Sequence, residues 1–95
     1  MILVDRARWR GRADVRFAHL VSDESFAELR SFVDSLSLPR PLHFHRDHYD
    51  VPAVLWPRVV DAGARVVATK EIVRRLRAAG LRATSAGSAP RRRGG

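Results

Sequence analysis

The sequence holds no cysteine, one lysine, one methionine and one tyrosine, and aromatic residues make up 7% of its 95 positions. Without cysteine there is no disulfide framework, no thiolate zinc or iron–sulfur centre and no thiol nucleophile, so any bound metal must be held by His, Asp or Glu. Long apolar runs are missing as well. Residues 1–4 are apolar but are followed at once by Asp5 and Arg6, too short a run for a signal-peptide core, and nothing approaches the roughly 18 apolar residues of a membrane span. The expectation is a soluble cytoplasmic protein without a membrane partner. The length supports one small core and excludes a barrel enzyme or a protein kinase.

What is abundant is arginine. Seventeen Arg and one Lys stand against ten acids, for a net charge of +8. By segment, the net charge is +3 over residues 1–16, −3 over 17–62, +5 over 63–82 and +3 over 83–95. The ends are basic and the middle acidic. Such a balance favours association with nucleic acid or another phosphate-bearing partner, and says nothing about fold. Residues 83–95 have no large apolar side chain to bury and are expected to form a disordered basic tail behind a single α/β domain over 1–82.

Hydrophobic spacing predicts the elements. Residues 1–5 read as a short buried strand, 6–13 as a polar loop, and the alternation of Val15, Phe17, His19 and Val21 as a second strand. Phe26, Leu29, Phe32, Val33 and Leu36 form one helical face behind the capping box Ser25-x-x-Glu28, and this helix should end before Pro39. Residues 42–47 read as a third strand. A second helix is expected between Pro52 and Ala62, closed by Gly63, with Pro57 dividing it into two pieces. Residues 65–68 read as a fourth strand, and Thr69 as the cap of a third helix that presents Ile72, Val73, Leu76 and Ala79 inward before Gly80. The order strand-strand-helix-strand-helix-strand-helix implies an α/β fold: a small single-layer, largely parallel sheet of about four strands with three helices.

In a parallel sheet of this kind the carboxyl ends of the strands share one edge with the helix N-termini, an edge suited to anions. His19 and Asp23 follow the second strand, His48, Tyr49 and Asp50 the third, and Thr69 the fourth. His19, Asp23, His48 and Asp50 are therefore the candidate catalytic residues, with a His as general base. Asp23, His48 and Asp50 are candidate ligands of a divalent cation, and Tyr49 and Thr69 candidate ligand-binding residues. Structural roles compete: Asp23 and Asp50 stand where helix caps stand, and His19 can serve as a hydrogen-bonded strand residue. Asp5 is expected at the opposite end from His19 if the first two strands pair. In a fully extended segment His43, His45 and Asp47 point one way, and His48 and Asp50 the other. The spacing His45-x-Asp47 echoes part of a two-His-one-carboxylate iron site, and His45-Arg46-Asp47 repeats a kinase tripeptide that a chain of this size cannot use.

Arg6, Arg8, Arg10 and Arg12 recur at every second position around Trp9, a pattern suited to phosphate contact. Lys70, Arg74 and Arg77 form an outward stripe on the third helix, with Arg75 beside it.

Taken together, Val4-Asp5, Trp9, His19-Leu-Val-Ser-Asp23, His48-Tyr-Asp-Val51, Gly63-Ala64 and the closing Leu/Arg-rich helix resemble a family of small bacterial and phage proteins classed as a domain of unknown function. The similarity spans about residues 1–82, and departs at Phe17, where Trp is common, and at Pro57. The resemblance implies that His19, Asp23, His48, Tyr49 and Asp50 belong to the family pattern, whereas His43, His45 and Asp47 are incidental. It implies no activity. The residues support two readings: a phosphoester- or nucleotide-processing domain with a His/Asp site, assisted by a divalent cation, or a non-catalytic module binding nucleic acid or an anionic partner through its arginines. A small accessory protein is the third.

Overall fold

The computed structural model of the chain describes residues 1–10 and 15–82, so Arg12 and the expected basic tail lie outside the described residues. In chain order the elements are β1 (Ile2–Val4), β2 (Trp9–Arg10), β3 (Arg16–Ser22), α1 (Phe26–Ser35), β4 (His43–His45), β5 (His48–Pro52), a 3-10 turn (Ala53–Leu55), α2 (Trp56–Asp61), β6 (Arg65–Val66) and α3 (Thr69–Ala78).

The helices start and stop where local chemistry dictates. Ser25 caps α1 by accepting from the Glu28 amide at 3.0 Å, one arm of the capping box; the Ser25 amide donates to the Ser22 hydroxyl at 3.1 Å rather than to the Glu28 side chain. Pro57 stands in the first turn of α2, where its missing N–H costs nothing, and the preceding segment folds separately as the 3-10 turn. The helix expected over 52–62 is thus two pieces. At the end of α3, Gly80 takes φ +75, a conformation that glycine adopts without strain. The Leu81 amide then closes on the Leu76 carbonyl at 2.9 Å, and the helix stops. Thr69 is not the cap of α3. That position falls to Ala68, and the threonine hydroxyl is used elsewhere.

The sheet departs from the expected one. It is mixed and mostly antiparallel, in the order β4-β5-β3-β1-β6, with β2 pairing the far end of β3 beside β1. Among the described residues, β1 and β6 are the one pair of neighbouring strands that runs parallel. The crossover through α1 does deliver β4 parallel to β3, as the strand–helix–strand rule predicts. However, β4 reverses at once through Arg46 and Asp47, with Arg46 at φ 60, and the returning strand β5 inserts between them. Residues 48–51 follow the strand expected over 42–47 and precede the helix expected from Pro52, and Asp50 and Pro52 are poor strand formers. Pairing on both sides overrides that local preference.

Two packed faces result. Ile2, Val4, Ala18, Leu20 and Val51 bury one face of the sheet under Leu29 of α1 and Val59 of α2. Leu3 and Val21 bury part of the other under Ile72 and Leu76 of α3. Phe26 falls outside the expected buried face of α1 and packs edge-on against Phe44. None of the described helices is long and apolar enough to cross a membrane.

Leu20 is fully buried at the sheet centre while Val54 is 82% exposed. Urea unfolding should therefore show Leu20→Ala losing about 3 kcal/mol, and Val54→Ala changing stability by no more than about 0.5 kcal/mol.

Candidate functional site

Asp5 immediately follows β1. The register of β1 on β3 places Val4 opposite Leu20, so the next residue meets His19. The Asp5 amide donates to the His19 carbonyl at 3.2 Å. In the return direction it is the Asp5 side chain, not its carbonyl, that accepts the His19 amide, at 2.6 Å on Oδ1. Its other oxygen, Oδ2, accepts from His19 Nδ1 at 2.7 Å and from the Thr69 hydroxyl at 2.7 Å. The Asp5 carbonyl accepts from Trp56 Nε1 at 2.8 Å. This corrects the placement of Asp5 at the opposite end from His19: the two strands do pair antiparallel, but His19 lies inside β3 rather than at its end. Hairpin register identifies the pair, because residues equidistant from a hairpin turn face each other.

Asp5 is 1% exposed. Burial alone would push its carboxyl up, but the hydrogen bonds from the His19 ring, Thr69 and the His19 amide outweigh burial and hold it below the usual carboxylate range. An ionised carboxylate only accepts hydrogen bonds, so His19 carries its proton on Nδ1 and, as the neutral ring, its lone pair on Nε2. This is the arrangement by which a buried carboxylate orients a histidine base.

The β4–β5 hairpin supplies the remaining histidines. Its register opposes His43 to Asp50 and His45 to His48, and β5 opposes Asp50 to His19. Directly opposed residues share a face. The turn through Arg46 and Asp47 therefore resets the alternation expected for one extended segment, and all four histidines stand on the same side as Asp50. Successive ring centroids are 6.2 Å apart from His43 to His45, 5.6 Å from His45 to His48 and 4.8 Å from His48 to His19. His48 Nδ1 meets Asp47 at 2.9 Å and its Nε2 meets Asp50 at 3.2 Å. Asp47 is itself gripped by Arg82, at 2.6 and 2.8 Å. Burial opposes the charge on Asp47, yet the bonds from Arg82 and His48 hold its carboxyl below the usual range. Sequence alone leaves Asp47 as the end of the third strand, and nothing local signals its partner 35 positions away.

Other candidates lie elsewhere. Asp23 does not join His48 and Asp50. It accepts from the Met1 ammonium at 2.9 Å and from Arg75 at 2.8 Å, and chiefly the ammonium holds its carboxyl low. The trio Asp23, His48 and Asp50 is not assembled for a metal. Among the described residues, the group with metal-sharing spacing is Asp23, Glu24 and Glu28, and the Met1 ammonium lies within 2.9 Å of all three. Tyr49 alternates to the opposite face, where it packs on Phe44 at 5.1 Å. The stripe on α3 is partly neutralised: Arg74 and Arg75 both bond Glu71, holding its carboxyl at about 2.

Arg6, Arg8 and Lys70 instead line a cleft of about 690 Å³ with Asp5, Val66, Val67, Ala68 and Thr69. It opens at the carboxyl end of the parallel pair β1 and β6, and the N-terminus of α3 joins its wall. Among the described residues, none of the three cations has an acidic partner within salt-bridge distance. Arg10 enters β2 through its backbone.

Asp5→Asn should lower stability at pH 7 by about 3 kcal/mol, because a buried network loses its charge and one of its two acceptor oxygens. Its folded carboxyl lies below the unfolded value of about 3.9. The stabilisation is therefore fully present above that value and is lost as pH falls through the lower, folded one. Unfolding measured from pH 7 to pH 2 should fall less steeply in Asp5→Asn than in the parent chain.

No curated protein and no solved structure matches the chain. The two segments that carry the histidine pair, residues 19–23 and 48–51, both fall inside a match that runs over residues 2–79, and by it the chain belongs to the family described as protein of unknown function (DUF4031).

Proposed function

We propose that the chain is a phosphoester- or nucleotide-processing domain in which His19, oriented by Asp5, is the general base, and Arg6, Arg8 and Lys70 receive the phosphate. The observation that carries the reading is that Asp5 is shared. The same buried residue that fixes His19 lines the cationic cleft, so a phosphate held there lies beside the wall from which the imidazole is positioned. The first amides of α3 add neutral donors to the cations. In the step proposed, His19 Nε2 takes a proton from water as the water oxygen bonds to phosphorus. The ester P–O bond breaks, and the imidazolium returns the proton to the departing alkoxide.

The alternative is a non-catalytic module in which the same cations bind nucleic acid or another anionic partner and the His/Asp network is structural. Arg6, Arg8 and Lys70, without acidic partners among the described residues, favour anion binding under either reading.

The test is turnover of p-nitrophenyl phosphate, bis-p-nitrophenyl phosphate and short oligonucleotides. His19→Ala should reduce the rate at least 100-fold, and Arg6→Ala with Arg8→Ala should raise KM with less effect on kcat. No turnover, with oligonucleotide affinity that falls steeply with salt and is unchanged in His19→Ala, would establish the binding module instead.

A further inference from the structure

The hairpin carries a second chemical feature that uses neither His19 nor the cationic cleft, so it does not depend on the phosphoester reading. His43, His45, His48 and Asp50 occupy four corners of one face of the β4–β5 hairpin, two on each strand and directly opposed in pairs. We infer that these four side chains form a binding site for a divalent transition-metal ion of the zinc, cobalt or nickel type.

Distances support a shared ion. His48 Nε2 and Asp50 Oδ1 are 3.2 Å apart, and two ligands of a tetrahedral ion with bonds of roughly 2.0–2.1 Å lie about 3.3 Å apart. That edge of the polyhedron is already in place. Imidazoles on one such ion have centroids roughly 5 Å apart by the same geometry, against 5.6 Å for His45 and His48 and 6.2 Å for His43 and His45. The ligand atoms of the four are not all within shared-ion distance as they stand; the site requires His43 and His45, exposed on the edge strand, to rotate inward.

The surroundings suit the assignment. Asp47 lies 2.9 Å from His48 Nδ1 and is held in place by Arg82. A carboxylate on the far nitrogen of a ligating histidine fixes its tautomer and aims the Nε2 lone pair at the ion. Asp47 is thus a positioning residue rather than a ligand. Three imidazoles and one carboxylate select zinc, cobalt, nickel or copper over magnesium and calcium, which prefer all-oxygen shells. The acidic trio Asp23, Glu24 and Glu28 plays no part, because the Met1 ammonium already bridges it.

Titration of the full chain with Zn2+, followed by calorimetry, and with Co2+, followed by visible absorption, tests the site. One ion per chain is expected, with the intense visible absorption of tetrahedral Co2+. His43→Ala, His45→Ala, His48→Ala and Asp50→Asn should each weaken binding at least tenfold. Asp47→Asn should weaken it 10–100-fold at unchanged stoichiometry, while Glu24→Gln with Glu28→Gln should leave it unchanged. His43 and His45 are exposed, so circular dichroism of their variants should match the parent and tie any loss to ligation. Absence of saturable binding overturns the inference. So does binding that survives His48→Ala and Asp50→Asn, which would mark a simple two-histidine surface chelate, or binding abolished by the Glu24/Glu28 changes.

Discussion

A carboxylate buried to 1% exposure can remain charged only if every lone pair that loses water finds a donor. The structure is arranged around meeting that demand for Asp5. Donors arrive from the β3 backbone, the His19 ring and the Thr69 hydroxyl, while Trp56 takes up the main-chain carbonyl. Four segments meet there: the end of β1, the middle of β3, the start of α2 and the start of α3. With the side chain replacing a main-chain carbonyl in the ladder, β1 leaves its register on β3. Four residues, 5–8, then pass opposite two, Ala18 and His19, before β2 resumes the pairing. That widened stretch carries Arg6 and Arg8 to the cleft. The ordering of His19 and the presentation of the cations are therefore one structural event.

Much of this is legible in the sequence, and the failures have physical causes. The capping box at Ser25, the proline-split second helix and the glycine ends of α2 and α3 are decided by local chemistry and appear where the residues predict. Sheet direction is not local. Helical periodicity establishes that a crossover occurs, and it does, but whether the arriving strand lies beside the departing one depends on the residues beyond the turn. Arg46 in a left-handed conformation carries none of the glycine or asparagine signal that marks tight hairpins, so β5 stays hidden. The parity of His43, His45, His48 and Asp50 stays hidden with it. His19, His48 and Asp50 are recognisable as a group from their positions beside the two helix starts, whereas Asp5 requires the register of a hairpin whose turn has no composition signal. Asp23 is misplaced by sequence reasoning because its true partners, the Met1 ammonium and Arg75, come from opposite ends of the chain.

The charge obeys the same division. Arg74, Arg75 and Arg82 spend their charge inside the molecule, on Glu71, Asp23 and Asp47. Asp23 and Asp47, from the acidic middle of the chain, are therefore internal counter-ions for the basic segment over residues 63–82. Arg6, Arg8 and Lys70, by contrast, have no acidic partner among the described residues and line the cleft.

The Asp5 contacts reach across 14, 51 and 64 positions of sequence. Together they span residues 5–69, and each closes a loop whose entropy must be overcome before the bond forms. The set of donors around the Asp5 carboxylate that holds the His19 imidazole is therefore complete only when α3 has docked. It also means that the His19 amide, locked onto a side chain rather than a neighbouring carbonyl, should exchange its hydrogen only through openings that dismantle this whole junction.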